Sequence, residues 1–198
     1  MNKEIAEMKV VGLTGTIGSG KSSVKQILLQ KFNCYHVTLA DVIRGEIEKK
    51  RGRFNRKTMQ DMGNELRRKY GNHILAKLAI EYLPRDKELI VIDGIRNPAE
   101  AEWLRRKFGS DFTLIAVDAP AELRLKFLLN RGEKRDPKTV EEFKAMDARD
   151  RGVGEPEWGQ QVDKCLEIAD YKIINDSTME ELERKVMEIM QKIMVDKN

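Results

Sequence analysis

The sequence predicts an α/β fold: a five-stranded parallel sheet with helices on both faces. Three observations predict it. Short apolar runs alternate with longer stretches of helical periodicity, and such alternation argues for a parallel sheet. A glycine-rich stretch, Gly15-Thr16-Ile17-Gly18-Ser19-Gly20-Lys21-Ser22, joins the first apolar run to the first helical one. The chain has 198 residues and is 40% hydrophobic, enough for one good core and one domain.

The glycine-rich stretch fits G-x-x-x-x-G-K-[ST], the phosphate-cradling P-loop, and its context is the required one. Met8–Thr14 reads as a buried strand before it. Ser22 onward reads as a helix after it, with Val24, Ile27 and Leu28 on one face. Glycines let backbone N–H groups turn onto phosphate oxygens without a Cβ in the way. The N-terminus of the following helix adds partial positive charge. Lys21 reaches the β- and γ-phosphates, and the Ser22 hydroxyl is placed for Mg²⁺. The expected ligand is a nucleoside triphosphate, taken as ATP, held by residues 15–23 (Gly15, Thr16, Ile17, Gly18, Ser19, Gly20, Lys21, Ser22 and Ser23) and by Arg131.

Bulk properties narrow the class. The net charge is +4 and charged residues make up 35% of the chain. The excess is mild and interleaved with acids, which suits anionic small molecules and argues against nucleic acid. The Lys/Glu content would also suit a heat-tolerant protein. Two cysteines, Cys34 and Cys165, are too few for a disulfide framework, so a reducing cytoplasm is expected. The N-terminus, with Glu4 and Glu7, does not read as a signal peptide. No run of 18 apolar residues predicts a membrane span. His36 and His73 make no ligand cluster with the cysteines, and both read as structural or surface residues.

Cys34–Thr38 reads as the second strand. Asp41 and Arg44 follow at its C-terminal end, where open α/β sheets bind ligands; the other reading of Asp41 is a helix N-cap. The basic run from Lys49 to Lys57 reads as a solvated face or, through Arg56, as a phosphate contact. A helix with Met59, Met62, Leu66 and Tyr70 at helical spacing stops at Gly71, and Gln60 and Arg67 lie on its other faces, within reach of an acceptor. A second amphipathic helix spans 73–83 before Pro84. Glu88–Asp93 is an apolar run ending in an acid, the shape of a Walker B strand, so Asp93 is the second Mg²⁺ candidate. Arg96 enters the cleft three residues later, where its planar fork suits phosphate.

Pro98 opens a helix carrying Ala101, Leu104 and Phe108 and stopping near Gly109. Phe112–Asp118 is the fourth strand. The next helix has Leu123, Phe127 and Leu128 on its apolar face and closes at Arg131. Residues 132–154 are polar, with a short helix expected at Asp136-Pro137 and with Arg135, Arg149 and Arg151. They read as a lid over phosphates or as a solvated helix–loop. Gly152-Val153-Gly154 reads as a hinge. Tyr171–Asn175 is the fifth strand. Ser177-Thr178-Met179-Glu180 reads as a capping box before a helix with the stripe Leu182, Val186, Ile189 and Ile193.

Across nearly its full length the chain resembles the adenylate-kinase-like group of P-loop kinases. Val11-Gly12-Leu13-Thr14 with Gly15–Ser22 resembles the opening of dephospho-coenzyme A kinases, as does Ala169-Asp170-Tyr171 running into Asn175. In that family an Asp in the position of Asp41 serves near the acceptor hydroxyl. Asp41-Val42-Ile43-Arg44 and Asp93-Gly94-Ile95-Arg96 are similar to motifs of nucleoside monophosphate kinases, where the two matching arginines hold the acceptor phosphate. Arg131 matches a phosphate-binding arginine at the lid entrance. There are departures. The loop continues Lys-Ser-Ser where adenylate kinases usually have Lys-Gly-Thr, and no proline precedes the Asp93–Arg96 arginine. Leu39-Ala40-Asp41 stands where dephospho-coenzyme A kinases have Asp-Ala-Asp, and their His-Pro segment is missing. Gln60-Asp61-Met62-Gly63 and Asp93–Pro98 look closest to archaeal-type and deoxynucleotide kinases.

The resulting expectation is one P-loop NTPase domain over 1–198, strand order 2-3-1-4-5, with an acceptor subdomain at 41–83 and a lid at 132–154. The expected reaction is ATP- and Mg²⁺-dependent phosphoryl transfer to a small nucleotide, a nucleoside or deoxynucleoside monophosphate. Catalytic candidates are Lys21, Asp41, Asp93, Arg96 and Arg131; acceptor candidates are Asp41, Arg44, Arg67, Arg96 and Arg149; metal candidates are Ser22 and Asp93. One alternative is a dephospho-coenzyme A kinase with Asp41 as base. Another is an NTP-dependent switch or a nucleic-acid-linked ATPase. Acceptor identity, ATP against GTP, and oligomeric state stay open.

Overall fold

The structure is a computed structural model that describes residues 8–50, 52, 55–81, 83–84, 86–133 and 136–195. The sequence readings on Glu4, Glu7 and Arg135 lie outside those residues, as do Arg51, Arg53 and Phe54 of the basic run. Strands β1 (Lys9–Gly15), β2 (Cys34–Thr38), β3 (Leu89–Ile95), β4 (Phe112–Asp118) and β5 (Tyr171–Ile174) form one sheet. It is all parallel, in the order β2-β3-β1-β4-β5. Strand β1 is the central strand and every residue in it is buried. A parallel strand covered on both faces is apolar at consecutive positions, as Val10, Val11 and Leu13 are.

Two packed layers enclose the sheet. Helices α1 (Lys21–Lys31) and α9 (Met179–Val195) cover one face through Val24, Ile27, Leu28, Leu182, Val186 and Ile189. The other face is covered by α2 (Leu39–Lys49), α3 (Arg56–Tyr70), α4 (Ile74–Ala79), α5 (Pro98–Phe108) and α8 (Val162–Glu167). These contribute Leu39, Ile47, Leu66, Leu75, Leu104 and Cys165. Helices α6 (Ala121–Arg131) and α7 (Val140–Arg151) form a smaller cluster in which Leu128 and Phe143 pack against Ile17 of the P-loop. The P-loop is thus seated on apolar contacts from the α6–α7 pair. No helix among the described residues is long and apolar enough to cross a membrane. Cys34 and Cys165 are both free.

Several local expectations are corrected. Strand β3 does not end at Asp93 but runs to Ile95, with a one-residue bulge at Gly94. Leu13 pairs with Asp93, whereas Thr14 pairs with Ile95, and Gly94 has φ +88°. A bulge reverses the face of every later residue. Ile95 therefore joins the core on the face of Ile90 and Ile92, beneath Gly12, where a Cβ would lie 2.6 Å from Ile95 Cδ1.

Asp41 is not an N-cap. Thr38 caps α2, its Oγ1 accepting from Ala40 N at 3.2 Å, and Asp41 sits in the first turn, where its charge suits the helix dipole. Likewise Thr178 caps α9 by accepting from Glu181 N at 3.3 Å, one residue later than Ser177. Tyr70 and Phe127 are exposed instead of packed. On α6 it is Arg124 that turns inward beside Leu128. Helix α4 stops at Ala79, short of the expected 73–83, and Ile80 and Leu83 then pack against the core as separate side chains. The helix expected at Asp136-Pro137 begins at Val140 with Thr139 as its cap, because the Asp136 carboxylate is engaged by Arg131 and Glu133 N. It runs for 12 residues, to Gly152 at φ +101°.

Candidate active site

The P-loop leaves the C-terminal end of β1 and enters α1 through Gly20, whose φ of +95° opens the helix. A Cβ on Gly15 would stand 2.0 Å from the Val117 carbonyl oxygen, a backbone atom that cannot yield. Gly15→Ala is therefore expected to cost about 2–3 kcal/mol and to lower Tm by about 5 °C or more. A thermal melt checks this; an unchanged Tm would mean that the loop does not cross β4 this closely.

Contacts with distant elements brace the loop and the strand that leads into it. Thr16 Oγ1 donates to Asp118 Oδ1 at 2.6 Å. Asn175 Nδ2 donates to Ser19 O at 3.1 Å. Arg124, 1% exposed, donates to Ile17 O at 3.2 Å and to Ala119 O at 3.0 Å, stacks on Phe143 and is paired with Asp147 of α7. Thr14 Oγ1 donates to Ile95 O at 2.9 Å and fixes the loop to the bulged strand. Lys21 Nζ donates to the carbonyls of Gly15 at 2.6 Å and Thr16 at 2.8 Å. Burial, and then the charge of Arg96, lower its pKa to about 7, against the opposing pull of Asp93 and Asp150.

The loop opens into a cavity of about 870 Å³. Residues Ile17–Ser23 line it, and so do Asp41, Arg44, Arg67, Asp93, Arg96 and Arg131. Seven cationic side chains face it against three carboxylates among the described residues, a balance that favours anions. Arg149, expected with them, is not in the cavity wall. It is held by Asp61 at 2.7 Å, Glu155 at 3.0 Å and the amide oxygen of Gln60 at 3.2 Å.

The arginines in the wall differ in what holds them. Arg67 is 2% exposed and paired with Glu100 at 2.8 Å; the same carboxylate accepts from the backbone N–H groups of Arg96 and Asn97. Arg67 thereby fixes the turn that presents Arg96. Arg44 pairs with Asp41, and both are exposed. Arg131 pairs with Asp136, which raises its pKa. Arg96 donates to Asp150 Oδ2 at 2.7 Å, and Arg56 donates to the same oxygen at 3.1 Å.

Sequence reasoning did not single out Asp150, Asp118, Arg124 or Asn175. Asp150 comes from the last turn of α7, seven residues after the buried Phe143. That spacing puts it on the inward face, and this was the signal available. Burial alone would raise its carboxyl pKa, but Arg96 and Arg56 hold it below the usual value. A depressed carboxyl pKa adds stability above its ordinary value, and this is lost as pH falls through the folded value. The stability advantage of the wild type over Asp150→Asn should therefore shrink from pH 5 to pH 3. Melting curves across that range check it; a gap that widens on acidification would contradict the ion-pair account.

Ser22 and Asp93 both line the cavity, and neither has a side-chain hydrogen bond to protein among the described residues. A hydroxyl and a carboxylate fit Mg²⁺, which takes one or two protein oxygens together with water and phosphate. No cluster of three His, Cys, Asp or Glu suited to a metal occurs among the described residues, so an all-protein cage is not what this site offers.

Comparison with known proteins agrees with this geometry. A family model described as an AAA domain matches residues 14–144. A UPF0200 protein of Sulfurisphaera tokodaii is 34% identical over 187 residues, covering 94% of this chain and 98% of that protein. Among solved structures, TT1252 from Thermus thermophilus superposes with a TM-score of 0.60 at 21% identity, covering 93% of this chain and 97% of that one. Shikimate kinase from Acinetobacter baumannii, in complex with shikimate, gives 0.55 at 15% identity, covering 96% and 97%. At these identities the structural likeness is one of fold: a P-loop domain built on a parallel sheet between helices.

Proposed function

We infer, from the premise that the chain belongs to the UPF0200 family and carries a P-loop of the AAA-domain family, that it is a kinase transferring the γ-phosphoryl group of ATP to a (deoxy)nucleoside monophosphate. One observation carries the reading: the P-loop and a set of guanidinium groups line a single cavity of about 870 Å³. That volume lies in the upper range of ligand pockets and matches two anionic ligands meeting head to head.

Phosphoryl transfer needs alignment and charge neutralisation more than covalent help. Lys21 and the loop N–H groups hold the donor phosphates. Ser22 and Asp93 would hold Mg²⁺, which would supply neutralising positive charge to the donor phosphates. Arg96 and Arg44 hold the acceptor phosphate in line with the donor, and Arg131 balances charge at the mouth. A phosphate acceptor has a second pKa near 6, so it is already nucleophilic at neutral pH and needs no base.

A second reading, a hydroxyl acceptor such as that of a dephospho-coenzyme A kinase or of the shikimate kinase relative in fold, would use Asp41 as base. The Asp41–Arg44 ion pair favours the first reading, because it commits that carboxylate to an acceptor arginine. The test is ADP release with ATP and Mg²⁺ across the common nucleoside and deoxynucleoside monophosphates, dephospho-coenzyme A and shikimate. Stimulation by one monophosphate supports the kinase proposed. Stimulation by a hydroxyl acceptor alone moves the reading to Asp41, and release indifferent to every acceptor rejects both.

A further inference from the structure

The carboxylate of Asp150 is fully buried, yet it meets the cavity where three elements converge. Its Oδ2 accepts from Arg96 of the β3 end at 2.7 Å and from Arg56 of α3 at 3.1 Å. Its Oδ1 accepts from Gln60 Nε2 at 3.2 Å. Gln60 Nε2 also donates to Gln160 Oε1 at 3.4 Å, so the carboxylate sits in a polar network. A buried carboxylate is tolerated only with such partners, and two like-charged guanidiniums approach each other only with a shared anion between them.

The side chains of Arg96 and Arg56 keep 24% and 16% exposure, while that of Asp150 keeps none. The carboxylate therefore lies behind the pair and the guanidiniums lie in front. Arg96 spends Nη1 on Asp150 and has no protein partner for Nε or Nη2 among the described residues. Both guanidiniums line the cavity, and Arg96 presents its remaining edge there. The same turn of α7 carries Asp147, which pairs with Arg124, the residue that holds Ile17 O of the P-loop. The last turn of α7 thus touches the support of the P-loop with one carboxylate and the Arg96–Arg56 pair in the cavity wall with the other.

We propose that Asp150 is a positioning residue for phosphoryl transfer: it backs Arg96 and Arg56 as a two-arginine clamp and sets where the acceptor's phosphate lies relative to the P-loop. This rests on the kinase reading above and deepens it. The carboxylate touches neither reacting group and takes no proton. It acts by fixing two guanidinium planes, and a misplacement of about 1 Å at such a contact costs about 100-fold in rate.

The test is steady-state kinetics of wild type and Asp150→Asn with the acceptor that the panel identifies. The amide keeps the size of the side chain and removes its charge. The expected result is a fall in kcat of about 100-fold, with both Michaelis constants within about threefold of wild type, because the guanidiniums still attract phosphate but no longer align it. Gln60→Met, which removes the bond to Oδ1 together with the Gln60 bonds to Gln160 and Arg149 and leaves the Asp150 charge in place, should lower kcat by about tenfold in the same pattern, and it serves if Asp150→Asn does not fold. An unchanged or raised kcat in a folded variant would overturn the proposal, since it would mean that the acceptor displaces the carboxylate instead of being aligned by it. A raised acceptor Michaelis constant at unchanged kcat would overturn it too. A wild type that turns over no acceptor would reject the kinase reading itself and this proposal with it, an outcome distinct from the others.

Discussion

Lys21→Ala is expected to lower acceptor-stimulated ADP release by about 100- to 1000-fold in kcat. Lys21 is the first residue of α1, and its ammonium is held against the loop by the Gly15 and Thr16 carbonyls. The loop contributes backbone N–H groups that survive the mutation, so the fold and weak nucleotide binding should persist. What disappears is the cation that the loop itself holds against the donor phosphates. In a site screened from water, such a charge is worth far more than at a surface. Coupled kinetics with a thermal melt as the folding control measure it. Activity within threefold of wild type would show that the nucleotide is not processed at this loop.

Arg96→Ala is expected to raise the acceptor Michaelis constant by about 100-fold, the effect of losing a largely desolvated charge-assisted contact of roughly 3 kcal/mol. Donor affinity should change little. Arg96→Lys should rescue only a fraction, because a point charge replaces a planar fork that bonds Asp150 on one edge and leaves another for phosphate. Binding of a non-hydrolysable ATP analogue, set beside acceptor titrations, separates the two effects. A loss confined to the donor would assign Arg96 to ATP and leave the acceptor end to Arg44 and Arg56.

Much of this was legible in local sequence. The P-loop and its helix obey a spacing rule, and the stripes of α1 and α9 obey the 3.6-residue period, so both appear where the residues put them. Strands β2 and β4 have the bounds their apolar runs indicate. The cavity-lining positions of Asp41, Arg44, Asp93, Arg96 and Arg131 follow from strand and helix ends, which are also local features. The bulge at Gly94 was not legible, because a glycine in a strand does not say whether the register slips there. The inward turn of Arg124 was hidden for a similar reason. A cation on an apolar stripe reads as surface until a carboxylate from another helix, here Asp147, is known to meet it.

The sequence by itself determined the sheet's elements, the donor loop and the supply of arginines, because hydrophobic period, glycine placement and motif spacing act over a few residues. Only the tertiary structure decided which arginines share the cavity and which are spent elsewhere. Arg149 and Arg96 are both basic residues near turns, yet one is tied to Asp61 and Glu155 outside the cavity and the other faces it. The physical reason is that a guanidinium's role is set by the carboxylate that holds it, and those carboxylates arrive from helices distant in the chain. Asp150 reaches Arg96 across 54 positions and Arg56 across 94.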